Sequence, residues 1–258
     1  MATFLFDKII FGPVKSRRFG TSLGINLLPA SKKVCSFNCI YCECGWSLCG
    51  YADTSGFPTR QELSTKLAEV LFQMKTQGQV PDNITFAGNG EPTLHPDFKP
   101  IIEDTILCRN QFAPTAKITV LSNSTTCHKP EVYDALQLAD NRVMKLDAGT
   151  NQTYGLINKG PKHLSLDTIV ENLTRFDGKL TIQTLFLKGK VDGVLIDNTT
   201  ETEIEHWLTH LVKIKPELLM IYPIARETPA QGIEVINKKT LQLIAKQVEG
   251  LGIKTEVF

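Results

Sequence analysis

The cysteines of this chain are concentrated in one stretch, CSFNCIYCECG, which spans residues 35–45. Cys35, Cys39 and Cys42 form a C-x₃-C-x₂-C pattern with an aromatic residue before the last cysteine, and Cys44 follows two residues later. Structural zinc sites usually draw four ligands from two separated pairs, whereas close-spaced cysteines are typical of iron–sulfur clusters. Three cysteines on a four-iron cluster leave one iron without a protein ligand, and this favours a catalytic role.

A second segment that can do chemistry is GNGEP, residues 88–92, at the end of a predicted strand. Glycines let the backbone approach a ligand closely, and the carboxylate of Glu91 can orient an ammonium group. Polar or aromatic candidates also follow or end the later predicted strands: Asn123, Asp147, Gln183 and Tyr222.

The remaining potential ligands have competing interpretations. His206 and His210 are four residues apart on a predicted helix, but the apolar stripe beside them predicts that both face solvent. An auxiliary cluster is one interpretation of four other cysteines: Cys44, Cys49, Cys108 and Cys127. The alternative is that these four are free cysteines, which usually pack as small buried apolar side chains.

The elements that must position these residues alternate along the chain. The predicted strands cover residues 22–28, 83–88, 117–123, 142–148, 180–187, 218–224 and 253–258. The predicted helices cover about 59–74, 97–108, 130–138, 166–176, 201–213 and 238–249, and a capping box starts the first. This alternation predicts a parallel α/β sheet or barrel, in which the strand ends that carry active sites share one rim.

The composition indicates a soluble globular protein. The chain has 258 residues, of which 42% are hydrophobic and 21% are charged. No apolar run has membrane-spanning length, and the first residues make a poor signal peptide, so we expect a cytoplasmic protein with no membrane partner. In that reducing compartment, clustered cysteines favour metal binding or catalysis over disulfides.

The charge is small but uneven. The net charge of +1 argues against a large nucleic-acid footprint, yet residues 1–34 hold six basic side chains and one acidic one. Arg17 and Arg18 are candidates to contact a phosphate or carboxylate, and Arg226 is a third. Ordinary solvated charges are the alternative for all three.

Taken together, the motifs resemble those of the radical S-adenosylmethionine (radical SAM) superfamily. The resemblance rests on the C-x₃-C-x₂-C run and on the glycine-rich segment at the end of the second strand. It implies that Cys35, Cys39 and Cys42 ligate a [4Fe–4S] cluster whose open iron binds SAM. It also implies SAM contacts from Tyr41, Gly88, Asn89, Gly90, Glu91, Asn123, Asp147, Gln183 and Tyr222, with Asp147 accepting from a ribose hydroxyl.

The resemblance also implies an architecture and a reaction. The expected fold is a partial parallel (β/α)₆ TIM-like barrel formed as one domain by residues 1–258, with a basic segment and first strand at 1–34 and a helix and strand within 225–258. A reductant such as flavodoxin or ferredoxin is expected to supply the electron that cleaves SAM to a 5′-deoxyadenosyl radical. The radical then takes a hydrogen atom from the substrate.

The substrate stays open. The segment FGPVKSRRFGTSLGINLLP, residues 11–29, resembles a subgroup related to the tRNA wyosine-base synthesis enzymes, which suggests a nucleoside or a tRNA base. A small metabolite is also consistent with the sequence. The alternatives are an activase or peptide-modifying enzyme that acts on a protein partner, and a non-catalytic iron–sulfur or zinc protein.

Overall fold

The structure is a computed structural model, and it describes residues 4–47 and 54–258. Its strands are β1 (Ile10–Ser16), β2 (Gly20–Ile25), β3 (Asn83–Phe86), β4 (Lys117–Ser122), β5 (Asn141–Lys145), β6 (Thr181–Leu185), β7 (Leu187–Val191), β8 (Val194–Asp197), β9 (Leu218–Tyr222), β10 (Ile233–Val235) and β11 (Thr255–Val257). Eight of them form one sheet in the order β1-β2-β3-β4-β5-β6-β9-β11, and the other three form a small sheet in the order β10-β7-β8.

The helices lie between these strands along the chain. They are α1 (Arg60–Thr76), α2 (Phe98–Phe112), α3 (Pro130–Leu138), α4 (Asn151–Asn158), α5 (Leu166–Thr174), α6 (Glu201–Ile214) and α7 (Lys238–Glu249), with one 3₁₀ turn at Pro92–Leu94. The capping box of α1 is confirmed, since Thr59 and Glu62 each cap the other's backbone amide. Within the described ranges, no helix is both long and apolar enough to cross a membrane.

The large sheet confirms the predicted α/β class. Each neighbouring pair from β2 to β11 is parallel, and β1 is antiparallel to β2. Parallel strands place their carboxyl ends on one edge, so the segments that follow β2, β3, β4 and β5 share that edge. All seven predicted strands are present, mostly shorter than predicted.

The prediction that His206 and His210 both face solvent is wrong for His210. His206 is exposed, but the His210 ring is buried and its Nε2 lies 2.9 Å from the carbonyl oxygen of Gly149. The buried face of α6 includes Trp207, His210 and Leu211, which are spaced as one helical face. The face is therefore wide enough to include this histidine.

Candidate functional site

The cysteine loop, residues 34–45, follows β2 and pairs with the glycine loop, residues 87–91, which follows β3. The Val34 amide donates to the Asn89 carbonyl at 2.9 Å, and the Glu91 amide donates back to the Val34 carbonyl at 3.0 Å. This short parallel bridge fixes the two loops against each other. The two main motifs of the sequence therefore meet at one edge of the sheet.

N–H donors lie close to the sulfurs of Cys35 and Cys39. The amide of Phe37 and the Nδ2 of Asn123 each lie 3.4 Å from the sulfur of Cys35. The Nδ2 of Asn158 lies 3.5 Å from the sulfur of Cys39. N–H donors stabilise a thiolate, and such bonds to cluster sulfurs are one way in which proteins tune iron–sulfur centres.

A buried cation lies among the same sulfurs. Lys33 is 4% exposed, and its Nζ donates to the Gly45 carbonyl at 2.9 Å. Burial disfavours the charged form, but the thiolates of Cys42, Cys35 and Cys39 hold the pKa of Lys33 above its ordinary value. Across the described ranges, no carboxylate pairs with this ammonium. A buried charge is costly without a counter-charge, so the thiolates must supply it.

The thiols themselves respond differently to this environment. A hydrogen bond from Cys44 and the charge of Lys33 lower the pKa of Cys42 to about 5. Burial raises the pKa of Cys35 to about 12 and also raises that of Cys39. Since a bound metal deprotonates the thiols that ligate it, the donors and the buried ammonium fit three thiolates on a metal cluster.

The glycines of the glycine loop make room for the chain's own backbone. Gly88 and Gly90 have φ values of 147° and 140°. A Cβ atom at Gly90 would overlap the carbonyl oxygen of Val34, and one at Gly88 would overlap the side chain of Asn26. Glycine is therefore required at position 90 for the cysteine loop to lie where it does, and at position 88 for the side chain of Asn26 to lie where it does.

The side chain of Asn89 faces away from this edge. It is fully buried, and its Nδ2 donates to the carbonyls of Phe6 and Pro29, each at 2.9 Å. Its Oδ1 accepts from the Phe6 amide at 2.8 Å. The Asn89 amide donates to Asn26 Oδ1 at 3.1 Å, so these groups of Asn89 bond within the protein, and its predicted contact with SAM stays a prediction.

Glu91 connects the glycine loop to the end of β4. Its Oε1 accepts from the hydroxyls of Thr93 at 2.5 Å and Ser122 at 3.0 Å, and its Oε2 accepts from the Asn123 amide at 2.6 Å. Burial raises the pKa of this carboxyl, and these donors oppose the shift. Through these contacts Glu91 fixes the position of the Asn123 backbone. Its predicted role in binding the ammonium group of SAM stays a prediction.

Asp147 is the centre of a second buried network, beyond the end of β5. Its carboxylate accepts from the Tyr41 hydroxyl, from Lys145 Nζ at 3.2 Å, from Asn158 Nδ2 at 2.9 Å and from the Leu185 amide at 3.0 Å. The Lys145 ammonium also donates to the Tyr41 oxygen. The network thus holds the aromatic residue of the cysteine motif against β5 and β6.

Gln183 on β6 and Tyr222 on β9, both predicted site residues, contact Arg18, which lies in the turn between β1 and β2. Arg18 Nη1 donates to Gln183 Oε1 at 3.0 Å, and the guanidinium carbon lies 5.4 Å from the centre of the Tyr222 ring. Burial raises the pKa of Tyr222. Gln183 and Tyr222 therefore lie on the inner side of the sheet, next to a cation.

The other two predicted anion contacts lie outside this cluster. Arg17 is exposed in the turn between β1 and β2. Arg226 is 63% exposed and pairs with Glu43 at 2.6 Å, which is the surface ion pair that the sequence left as the alternative. Anion binding by either residue stays a prediction.

The remaining cysteines leave the predicted auxiliary cluster untested. Cys108 and Cys127 are buried, as free cysteines usually are, and Cys49 lies outside the described residues, so the auxiliary cluster is untested. In residues 4–47 and 54–258, no group of three or more His, Cys, Asp or Glu side chains could hold a metal ion. A four-iron cluster does not require such convergence, because each thiolate binds a different iron.

Sequence reasoning did not identify two contributors. Lys33 appeared only as part of a basic segment, and Asn158 lies on α4, which was not predicted. The spacing of Lys33 two residues before Cys35 is a signal that could have been used. Nothing local identifies Asn158, because it reaches Cys39 and Asp147 from a distant part of the chain.

Comparison with known proteins agrees with this site. The family model described as the Radical SAM superfamily matches residues 32–198. The chain is 30% identical, over 95% of its length, to a Brachyspira hyodysenteriae protein named GTPase Obg, of which it covers 34%. It is 30% identical, over 93% of its length, to a UPF0026 protein of Synechocystis, of which it covers 92%. It spans only 34–58% of the length of the other curated relatives that it matches.

Solved structures share the fold. A radical SAM methyltransferase from Sphaerobacter thermophilus superposes with a TM-score of 0.65 at 14% identity, covering 92% of this chain and 65% of that one. Archaeal TYW1 superposes with a TM-score of 0.56 at 13% identity, covering 89% of this chain and 71% of that one. Because the family match includes the whole cysteine loop, the chain belongs to the radical SAM superfamily, as an enzyme whose cofactors are SAM and a [4Fe–4S] cluster.

Proposed function

We propose that Cys35, Cys39 and Cys42 hold the [4Fe–4S] cluster and that SAM lies between the glycine loop and Asp147. The observation that carries this proposal is the set of three cysteines, Cys39 buried and Cys35 and Cys42 half-buried, with N–H donors and the buried Lys33 ammonium around it at the carboxyl edge of a parallel sheet. When bound and reduced, the cluster and SAM supply a 5′-deoxyadenosyl radical that takes a hydrogen atom from the substrate.

The chain's own residues position and shield these groups. Lys33 offsets the negative charge of the thiolates, which favours a more reduced centre. Asn123 and Asn158 donate to the sulfurs from two different elements, so the loop cannot shift without breaking both contacts. A reductant such as flavodoxin or ferredoxin must supply the electron, and a cytoplasmic location would suit both that partner and the free thiols.

The substrate that the sequence suggests is a nucleoside or a tRNA base, within a subgroup related to the wyosine enzymes. The shared fold with archaeal TYW1 is compatible with it, but so is the shared fold with SuiB, a protein solved bound to its precursor peptide SuiA. RNA binding that weakens steeply between low and moderate salt would favour tRNA. Binding of a peptide that is insensitive to salt would favour the protein-modifying alternative.

The test is 5′-deoxyadenosine formation by anaerobically reconstituted protein with SAM and dithionite. We expect formation by the wild type, and none by Cys39→Ala. Cys108→Ala removes a buried thiol in α2 and is the matched control, for which we expect activity and iron content to persist. Protein that contains zinc without iron or sulfide would refute the proposal and favour the non-catalytic alternative.

A further inference from the structure

The inner face of the large sheet is unusually polar for a barrel-like fold, whose interior normally packs branched apolar residues. A cavity of about 380 Å³ opens at the amino ends of the strands. Its wall includes one residue from each of β3, β5, β6 and β9: Asn83, Asn141, Thr181 and Met220. Because side chains alternate along a strand, the same face continues toward the carboxyl ends through Lys145, Gln183 and Tyr222.

The polar groups on this face bond to one another. The hydroxyls of Ser22 and Thr85 lie 2.7 Å apart, and Asn141 Nδ2 donates to the hydroxyl of Thr119 at 3.0 Å. Such pairs satisfy each group in the protein alone and can also exchange partners with a polar ligand. The interior is therefore suited to a polar molecule rather than to an apolar one.

Arg18 enters this interior from the β1–β2 turn. Its guanidinium lies over the rings of Phe19 and Tyr222, with centroid distances of 5.3 and 5.4 Å, and gives one hydrogen bond to the neutral oxygen of Gln183. In the part of the chain that the structure describes, no carboxylate pairs with it. Within the described ranges, its Nε and Nη2 make no hydrogen bond, and the edge of a guanidinium can bind the paired oxygens of a carboxylate or phosphate.

The acids near the cavity do not neutralise this cation. Asp82 is exposed, and its carboxylate accepts from a backbone amide at 2.7 Å. Glu256 pairs with Lys254 at 3.5 Å. Arg18 therefore remains a half-buried positive charge without a protein counter-charge in the described ranges.

The same face leads to the cysteine loop. Lys145 Nζ donates to the hydroxyl of Tyr41, which lies between Cys39 and Cys42 in the cysteine loop. The charge of Lys145 is already compensated by Asp147 at 3.2 Å, so it does not compete with Arg18 for an anion. A ligand fixed at Arg18 would lie on the same inner face of the sheet as Lys145.

We infer that the barrel interior binds a small polar substrate that carries a carboxylate or phosphate, and that Arg18 anchors this group beside Gln183 and Tyr222. The inference rests on the proposed function and narrows its substrate class. A cavity of about 380 Å³ suits a small molecule, since ligand sites of this kind usually measure about 300–1,000 Å³.

The test measures binding of simple probes to the reconstituted holoprotein by titration calorimetry. The probes are inorganic phosphate, acetate and, as the uncharged match, acetamide. We expect phosphate or acetate to bind and acetamide not to bind. Arg18→Met should lower the affinity for the anion by about tenfold or more. Lys15→Met removes a positive charge from the same hairpin, and Lys15 does not line the cavity. The affinity of this variant for the anion should therefore equal that of the wild type.

Gln183→Leu is a second variant, which keeps the charge of Arg18 and removes the oxygen that accepts its hydrogen bond. It should lower the affinity for the anion less than Arg18→Met does. Binding of phosphate alone assigns a phosphate ester, and binding of acetate alone assigns a carboxylate. Equal affinity in the wild type and Arg18→Met, or no anion binding to the wild type, overturns the inference. Formation of 5′-deoxyadenosine without substrate is measured on the same samples. If the wild type forms none, the proposed function fails. If the wild type forms it but binds no anion, only the inference fails.

Discussion

The ion pair between Lys145 and Asp147 is the contact on which the arrangement of the site depends most directly. The charged atoms lie 3.2 Å apart, with the two side chains 14% and 0% exposed. Asp147→Asn keeps the volume, removes the charge and turns an amide NH₂ group toward donors. Leaving one partner of a buried pair uncompensated costs about 3–5 kcal/mol, which is a large part of the roughly 5–15 kcal/mol that stabilises a typical domain.

For a chain of this size, each kcal/mol of lost unfolding free energy lowers the melting temperature by about 2–4 °C. The melting temperature of Asp147→Asn should therefore fall by roughly 6–20 °C. Urea unfolding of the anaerobic holoprotein, followed by circular dichroism, measures the free energy of unfolding. Lys145→Met/Asp147→Asn removes both charges, keeps an amide oxygen that can accept from Asn158 or Leu185, and should recover most of the loss, because no buried charge remains. A loss below about 1 kcal/mol in Asp147→Asn, or a double variant no more stable than it, would refute the burial argument.

Three further predictions follow from the site and its support. Lys33→Met should make the midpoint potential of the cluster more negative, because the ammonium favours the reduced state; the adjacent Lys32→Met should shift it less, since that ammonium lies at the surface. An EPR-monitored redox titration measures both. Gly90→Ala should lower iron content and melting temperature, because its Cβ would overlap a carbonyl oxygen of the cysteine loop, whereas Gly155→Ala meets no atom and should not. Burial lowers the pKa of His210, so the stability that its neutral form provides is present above the ordinary pKa of about 6.5 and is lost as the pH falls below it. Urea midpoints at about pH 7 and 5 should therefore differ less in His210→Asn than in the wild type.

The predictable part of the fold was the part with strong periodicity. The seven predicted strands and six predicted helices are regular apolar patterns that bury one or both faces. The small sheet of β7, β8 and β10 was missed, because its strands are three to five residues long and β10 pairs with β7 across more than 40 residues of sequence. β1 was missed because glycine, proline and charged residues interrupt it. That residues 1–258 form a single domain stays a prediction.

The candidate site was predictable where chemistry depends on residue type and spacing. Cys35, Cys39 and Cys42 carry their own signal in the sequence. Asn158 carries none, because it reaches the sulfur of Cys39 from a distant part of the chain, and Lys33 carries only its spacing from Cys35, since its role depends on burial. The glycine loop was interpreted as a ligand contact, yet the space that its glycines leave is filled first by the cysteine loop.

The polar interior of the sheet is best explained by function, because stability alone would not select it. Replacing a buried pair such as Ser22 and Thr85 with apolar residues of similar shape is usually neutral or stabilising. An unpaired, half-buried guanidinium such as that of Arg18 adds a desolvation cost with no compensating ion pair in the described ranges. Proteins depart from such packing rules mainly where a ligand must bind. Polar residues on the inner face also interrupt the apolar pattern of these strands. The residues that indicate a polar substrate therefore cannot be recognised from sequence periodicity.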